Sequence, residues 1–153
     1  MSVRYLVVDG HSVIFSWPEL RALHGRNRAV ARKTLADQLR QLHDTTTWRV
    51  TLVLDGKLGT AAGVAPARPA DMVICYATAD QTADSIIERL VAASGVAGDI
   101  LVISADEVEK RTVESLGALT ASPEWLRQEM ERENSTFSVE LERIHRSARW
   151  EKS

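Results

Sequence analysis

Five acidic residues stand where they could do chemistry. Asp9, Asp55 and Asp106 each follow closely on an apolar run (Leu6-Val7-Val8, Leu52-Val53-Leu54 and Ile100-Leu101-Val102-Ile103), and the first two are followed at once by glycine. Asp84 and Glu88 are four residues apart, one turn of a helix. Short runs that are apolar throughout suit strands buried on both faces, as in a parallel sheet. Such sheets take their ligands outside the carboxyl ends of the strands. Asp9, Asp55 and Asp106 would then share one edge, with Asp84 and Glu88 brought to it by a helix. Carboxylates crowded together oppose one another's ionisation unless a cation offsets them. Oxygen ligands without histidine or cysteine suit Mg²⁺ or Mn²⁺. A metal so held activates water and stabilises charge on a transferring phosphoryl group.

Each acid also has an ordinary structural use. Asp106-x-x-Glu109 has the spacing of a capping box. Asp9-Gly10 and Asp55-Gly56 suit turns, and Glu88 suits a surface ion pair. It is their convergence at one sheet edge that argues for a site.

The elements that must do the positioning are legible as an alternation. The first strand, Arg4 to Asp9, leads through Trp17-Pro18-Glu19-Leu20 into a short helix, with proline near its start. A longer helix from about Asn27 to Asp44 carries Ala31, Leu35, Leu39 and Leu42 as its buried stripe. Trp48 to Asp55 is the second strand, and Lys57 to Pro69, rich in Gly, Ala and Pro, reads as a long loop. Asp71 to Tyr76 is the third strand, and the helix after it is capped by Asp80 or Thr82 and buries Ala83, Ile87, Leu90 and Val91. A fourth strand spans Asp99 to Ser104. A helix from Asp106 to Leu116 is stopped by Gly117. Ala118-Leu119-Thr120 is a short fifth strand, Ser122-Pro123-Glu124 starts a further helix, and a last helix runs from about Ser135 to Trp150. Strands alternating with helices imply one α/β domain over residues 1–153, with a mostly parallel sheet of four or five strands between helical layers.

Composition narrows the field. A chain of 153 residues, 44% apolar, can bury one real core. Its lone cysteine, Cys75, excludes an internal disulfide framework and reads as a reduced core thiol. No secretory signal precedes the first strand, and no apolar run approaches the ~18 residues that span a bilayer. The expected location is the cytoplasm. The net charge of −2 does not advertise a nucleic-acid binder, but distribution matters more than the sum. From Arg21 to Arg49 seven basic residues stand against Asp37 and Asp44. Of these, Arg28 and Arg32, joined by Lys57 and Arg68 from the loop, are candidates for contacting phosphates. The four histidines are scattered, and only His11 lies near the acidic edge. The four tryptophans read as packing residues.

The run Asp9-Gly10-His11-Ser12-Val13-Ile14-Phe15-Ser16-Trp17-Pro18-Glu19-Leu20 resembles the D-G-Y-N-x-I-x-x-W-x-E-L opening of the YacP-like NYN domains, relatives of PIN-type nucleases. Leu54-Asp55-Gly56, Thr82-Ala83-Asp84 leading to Ile87-Glu88, and Ser104-Ala105-Asp106 followed by Gly117-Ala118 and Ser122 continue the likeness in the same order. The resemblance implies a Rossmann-like, PIN-like three-layer fold and a metal-dependent endoribonuclease leaving 5′-phosphate and 3′-hydroxyl ends. It places the catalytic metal site on Asp9, Asp84 and Asp106, with His11, Ser12, Asp55 and Glu88 in support. The family's Tyr-Asn after Asp-Gly is His11-Ser12 here. RNA is the expected partner, and the alternative is an RNA- or ribosome-binding module of the same fold, its chemistry weakened at that dipeptide. A phosphoacceptor domain built on Asp55, Thr82 and Lys110 fits less well, because Lys110 falls inside a helix.

Overall fold

The computed structural model describes residues 4–56, 71–78 and 80–133. Five strands, β1 (Arg4–Asp9), β2 (Trp48–Asp55), β3 (Val73–Ala77), β4 (Ile100–Ile103) and β5 (Leu119–Ala121), form one sheet in the order β3-β2-β1-β4-β5. Every pairing is parallel. Chain order therefore reverses at β1: β2 and β3 are added on one side, β4 and β5 on the other. A crevice opens at such a reversal because successive crossovers leave to opposite faces.

Two apolar layers cover the sheet, and strand alternation decides which residue meets which. Leu6 and Val8 of β1, Val50, Leu52 and Leu54 of β2, and Ile103 of β4 point to one face. There they meet α1 (Gly10–Ser16), α2 (Pro18–Arg26), α3 (Arg28–Thr45) and α6, a helix over 123–133. Val7, Val53, Ile100 and Val102 point to the other face, against α4 (Ala83–Ala93) and α5 (Glu107–Ser115). Ala31, Leu35, Leu39 and Leu42 are the buried stripe of α3, as their spacing requires. Trp17 is buried at the junction of α1 and α2, where its indole N–H donates to the Pro123 carbonyl at 2.9 Å and ties this layer to α6.

Several expectations change in detail. The chain does not wander after Asp9 but turns at once into α1, whose buried residues are Gly10, Val13 and Ile14. Thr82, not Asp80, caps α4, accepting from the Ser85 N–H at 3.1 Å. Leu90 is 37% exposed, so the buried stripe of α4 narrows to Ile87 and Val91. Cys75 is half buried because β3 is an edge strand. Lys57, Arg68 and the expected last helix lie outside the described residues. Among the described residues, no helix is long and apolar enough to cross a membrane.

Both Asp-Gly pairs serve close approach between backbones. A Cβ on Gly10 would meet Leu54 Cδ2 at 2.5 Å and the Val53 carbonyl at 3.0 Å. One on Gly56 would stand 1.8 Å from the Ala77 carbonyl. Glycine at these positions lets α1 lie on β2, and lets β2 leave the sheet alongside β3.

Candidate metal centre

The crevice at the carboxyl edge is an open cleft of about 710 Å³, lined by Asp9, His11, Ser12, Asp55, Asp84 and Asp106, with the Gly56 and Ala77–Thr78 backbone on one side. Asp9 ends β1 on the same side as Val7, by the alternation that sends Leu6 and Val8 the other way. It therefore faces the layer of α4 and α5. Asp84 comes from the first turn of α4, and Glu109 from the first turn of α5. Carboxylate oxygens of Asp9, Asp84 and Glu109 all lie within 4.8 Å of one another. Three elements far apart in the chain thus meet at one point.

Local hydrogen bonds hold this arrangement. Ser12 Oγ donates to Asp9 Oδ2 at 2.8 Å and accepts from the Ala105 N–H at 3.1 Å, linking the end of β1 to the turn before α5. Ser104 Oγ donates to Glu109 Oε2 at 2.9 Å and accepts from the Asp106 N–H at 3.0 Å. In a capping box the glutamate at this position reaches back to that same N–H. Here Ser104 has taken the role, and Glu109 is left to turn inward. Asp106 supplies the other half of the box, its Oδ1 accepting from Val108 N–H and Glu109 N–H at 2.9 and 3.3 Å.

The electrostatics follow from burial. Asp9 is 5% exposed and Glu109 only 1%. Burial is the largest influence on Glu109, followed by a hydrogen bond with Asp84 and the charge of Asp9; together they push its carboxyl from an ordinary 4.5 up to about 9. Burial also raises Asp9, against the opposing hydrogen bonds of Ser12 and Glu109. Apart from the contacts these acids make with one another, Asp9 Oδ1 and Glu109 Oε1 are buried with no hydrogen-bond partner among the described residues. Two orphaned acidic oxygens beside a third carboxylate are costly as they stand. They fit a hard divalent cation, which takes oxygen ligands and offsets their charge.

The acids singled out in the sequence separate into distinct places. Asp9 and Asp84 belong to the cluster. Asp106 lines the cleft, but its carboxylate serves the N-terminus of α5, and Glu109 occupies the third position of the cluster. Asp55 lines the cleft from the end of β2 without joining the three. Glu88, half buried one turn beyond Asp84, neither joins the cluster nor lines the cleft. Ser12 and His11 both line the cleft, and Ser12 donates to Asp9. Lys110, needed by the phosphoacceptor reading, instead pairs with Glu107 on α5 at 2.9 Å. The sequence did carry a signal for Glu109. It lies four residues before Val113, the buried apolar residue of α5, and so shares its face, while Val108 is 70% exposed.

The fold and the cleft together define a parallel α/β domain with an acidic centre at its topological reversal. The sequence model described as YacP-like NYN domain matches residues 6–153, and the chain belongs to that nuclease-like family. It is 30% identical over 149 residues to a Bacillus subtilis (strain 168) protein described as "Uncharacterized protein YacP", covering 96% of this chain and 84% of that one. It is also similar to the crystal structure of Rae1 (YacP) from Bacillus subtilis, with a TM-score of 0.76 and 27% identity over 94% of this chain and 82% of the other. A tryptophan-to-leucine variant of the same protein matches with the same TM-score at 26% identity.

Proposed function

We propose that this chain is a metal-dependent endoribonuclease that uses Mg²⁺ or Mn²⁺ held by Asp9, Asp84 and Glu109. The observation that carries the reading is the meeting of those three carboxylates within 4.8 Å, two of them with buried oxygens lacking a partner outside the cluster. When bound, the cation would supply Lewis acidity to the phosphodiester and acidify water. The chain's own residues do the positioning. Ser12 sets Asp9, Ser104 sets Glu109, and the cap at Asp106 fixes the first turn of α5. In the hydrolysis, water oxygen bonds to phosphorus and the bond to the 3′-oxygen breaks, leaving a 3′-hydroxyl and a 5′-phosphate. The cleft is open enough to admit a strand, and Arg28 and Arg32 are candidates for its phosphates. A cytoplasmic setting accords with RNA as substrate.

The alternative, an RNA- or ribosome-binding module with weakened chemistry, rested on His11-Ser12. The hydrogen bonds of Ser12 to Asp9 and to the Ala105 N–H favour an intact site over a decayed one. Labelled single-stranded and hairpin RNAs incubated with Mn²⁺ should be cut by the wild type. Asp9→Asn, Asp84→Asn, Glu109→Gln and a chelator should each abolish cutting. Cleavage that persists in the chelator or in Asp9→Asn would refute the assignment.

A further inference from the structure

The most exposed face of α1 carries an aromatic feature that the metal centre does not use. Val13, Ile14 and Trp17 are buried, whereas Phe15 is 41% exposed and shares the outer face of the helix with His11, one turn away. The rings of His11 and Phe15 have centroids 4.5 Å apart, and the ring of His24 from α2 meets Phe15 edge-on at 4.8 Å. A single exposed aromatic is unremarked on any surface. This one is in ring contact with two imidazoles, and one of them, His11, lines the acidic cleft.

Positive charge surrounds the same spot. Arg28 and Arg32 stand in the first turns of α3, directly after the last turn of α2 that carries His24, which is held below its ordinary value first by desolvation and then by the charges of Arg28, His11 and Arg32. Three other basic residues of this half are engaged elsewhere. Lys33 and Arg40 pair with Asp37, and Arg49 donates to the carbonyls of His43 and Thr46 at the start of β2. Arg28 and Arg32 form no ion pair among the described residues. An aromatic face with cations on one side and a carboxylate centre on the other is the arrangement that guides a polyanion carrying flat rings.

We propose that Phe15, in contact with His11 and His24, is a stacking step for one base of a single-stranded RNA, with Arg28 and Arg32 taking the adjoining phosphates and the strand running over His11 into the cleft. The inference rests on the ribonuclease reading for the identity of the polymer. It adds the direction from which the strand arrives, and it predicts a preference for unpaired bases, since a base within a duplex has no free face to offer.

The test is equilibrium binding of the full chain, in chelator, to a short single-stranded RNA carrying 2-aminopurine, read by anisotropy and by quenching of the base. Phe15→Ala should weaken binding roughly 5- to 100-fold and abolish the quenching, as loss of one base–aromatic stack does. Phe15→Leu, which keeps the apolar bulk without a flat face, should lose as much, and Phe15→Trp should restore both signals. On an abasic strand of equal length, wild type and Phe15→Ala should bind alike. The inference is overturned if Phe15→Ala stays within about twofold of wild type, if it loses the same factor on the abasic strand, or if the wild type does not bind. Binding with these signatures but no divalent-dependent cleavage would sustain the platform and remove the nuclease. Cleavage indifferent to Phe15 would do the reverse.

Discussion

Replacing Glu109 by glutamine perturbs the point where burial and charge conflict most. The Glu109 carboxyl is raised from 4.5 to about 9, so near neutral pH the folded chain keeps a proton that the unfolded chain releases. A folded state that binds more protons loses stability as pH rises. The loss begins where the unfolded carboxyl titrates, near 4.5, and continues to about 9. Asp9, raised in the same direction, adds to it. One proton is worth at most ~1.4 kcal/mol per pH unit, which sets a ceiling of ~3 kcal/mol between about pH 5.5 and about pH 8. Relaxation of the site and entry of water reduce the expected loss to ~1–2 kcal/mol, or roughly 2–8 °C in Tm for a domain of this size. Glutamine is neutral at every pH and close in shape to the protonated acid, so Glu109→Gln should flatten this slope. It should equal or exceed the wild type in Tm at about pH 8 in chelator. With Mn²⁺ present the order should invert. The cation takes the place of the proton and stabilises the wild type by mass action, while the variant, short of one ligand, binds about 10-fold or more weakly. Calorimetric melts at the two pH values, in chelator and in Mn²⁺, read all four quantities. Parallel pH slopes for the two proteins, or equal shifts on adding Mn²⁺, would show that Glu109 is neither the proton carrier nor a ligand.

Asp106 separates capping from ligation. Asp106→Asn keeps a cap oxygen and should retain fold and metal-dependent cutting, while Asp106→Ala should cost about 1 kcal/mol in denaturant melts. Abolition of Mn²⁺ binding by Asp106→Asn would return that residue to the metal centre. Ser12→Ala removes the hydroxyl shared by Asp9 and the Ala105 N–H, and should lower stability by ~1–2 kcal/mol and Mn²⁺ affinity about 10-fold. Unchanged calorimetric titration with Mn²⁺ would deny Ser12 its positioning role. Gly56→Ala drives a methyl into the Ala77 carbonyl and must push β3 from β2, lowering Tm by an amount equivalent to ~1–3 kcal/mol. A Tm equal to wild type would show that the two strand ends have room to part.

Much of the architecture was open to reading along the chain, because its causes are local. Apolar runs of three to five residues declare buried strands, and Leu35, Leu39 and Leu42 declare the inner face of α3 by spacing alone. Asp9 and Asp84 could be picked out for a similar reason, since one ends such a run and the other borders a buried stripe. The start of α1 was less legible. A helix that begins directly after the last residue of a strand leaves no turn residues to announce it, and Gly10 suggests a loop while serving close packing on β2.

What the chain by itself determined is that carboxylates would collect at one sheet edge. Which of them face one another was decided only in three dimensions. Asp106 and Glu109 are three residues apart at the start of the same helix, and a capping box would engage both. Ser104, brought to the end of β4, satisfies the Asp106 N–H that Glu109 would otherwise have met, and so sends Glu109 toward Asp9 and Asp84. The strand order does the rest: with β4 beside β1 and α4 and α5 on one face, residues a hundred positions apart come within a few ångströms. Local sequence sets the period of each element, but only the packing of whole elements brings the far ones together.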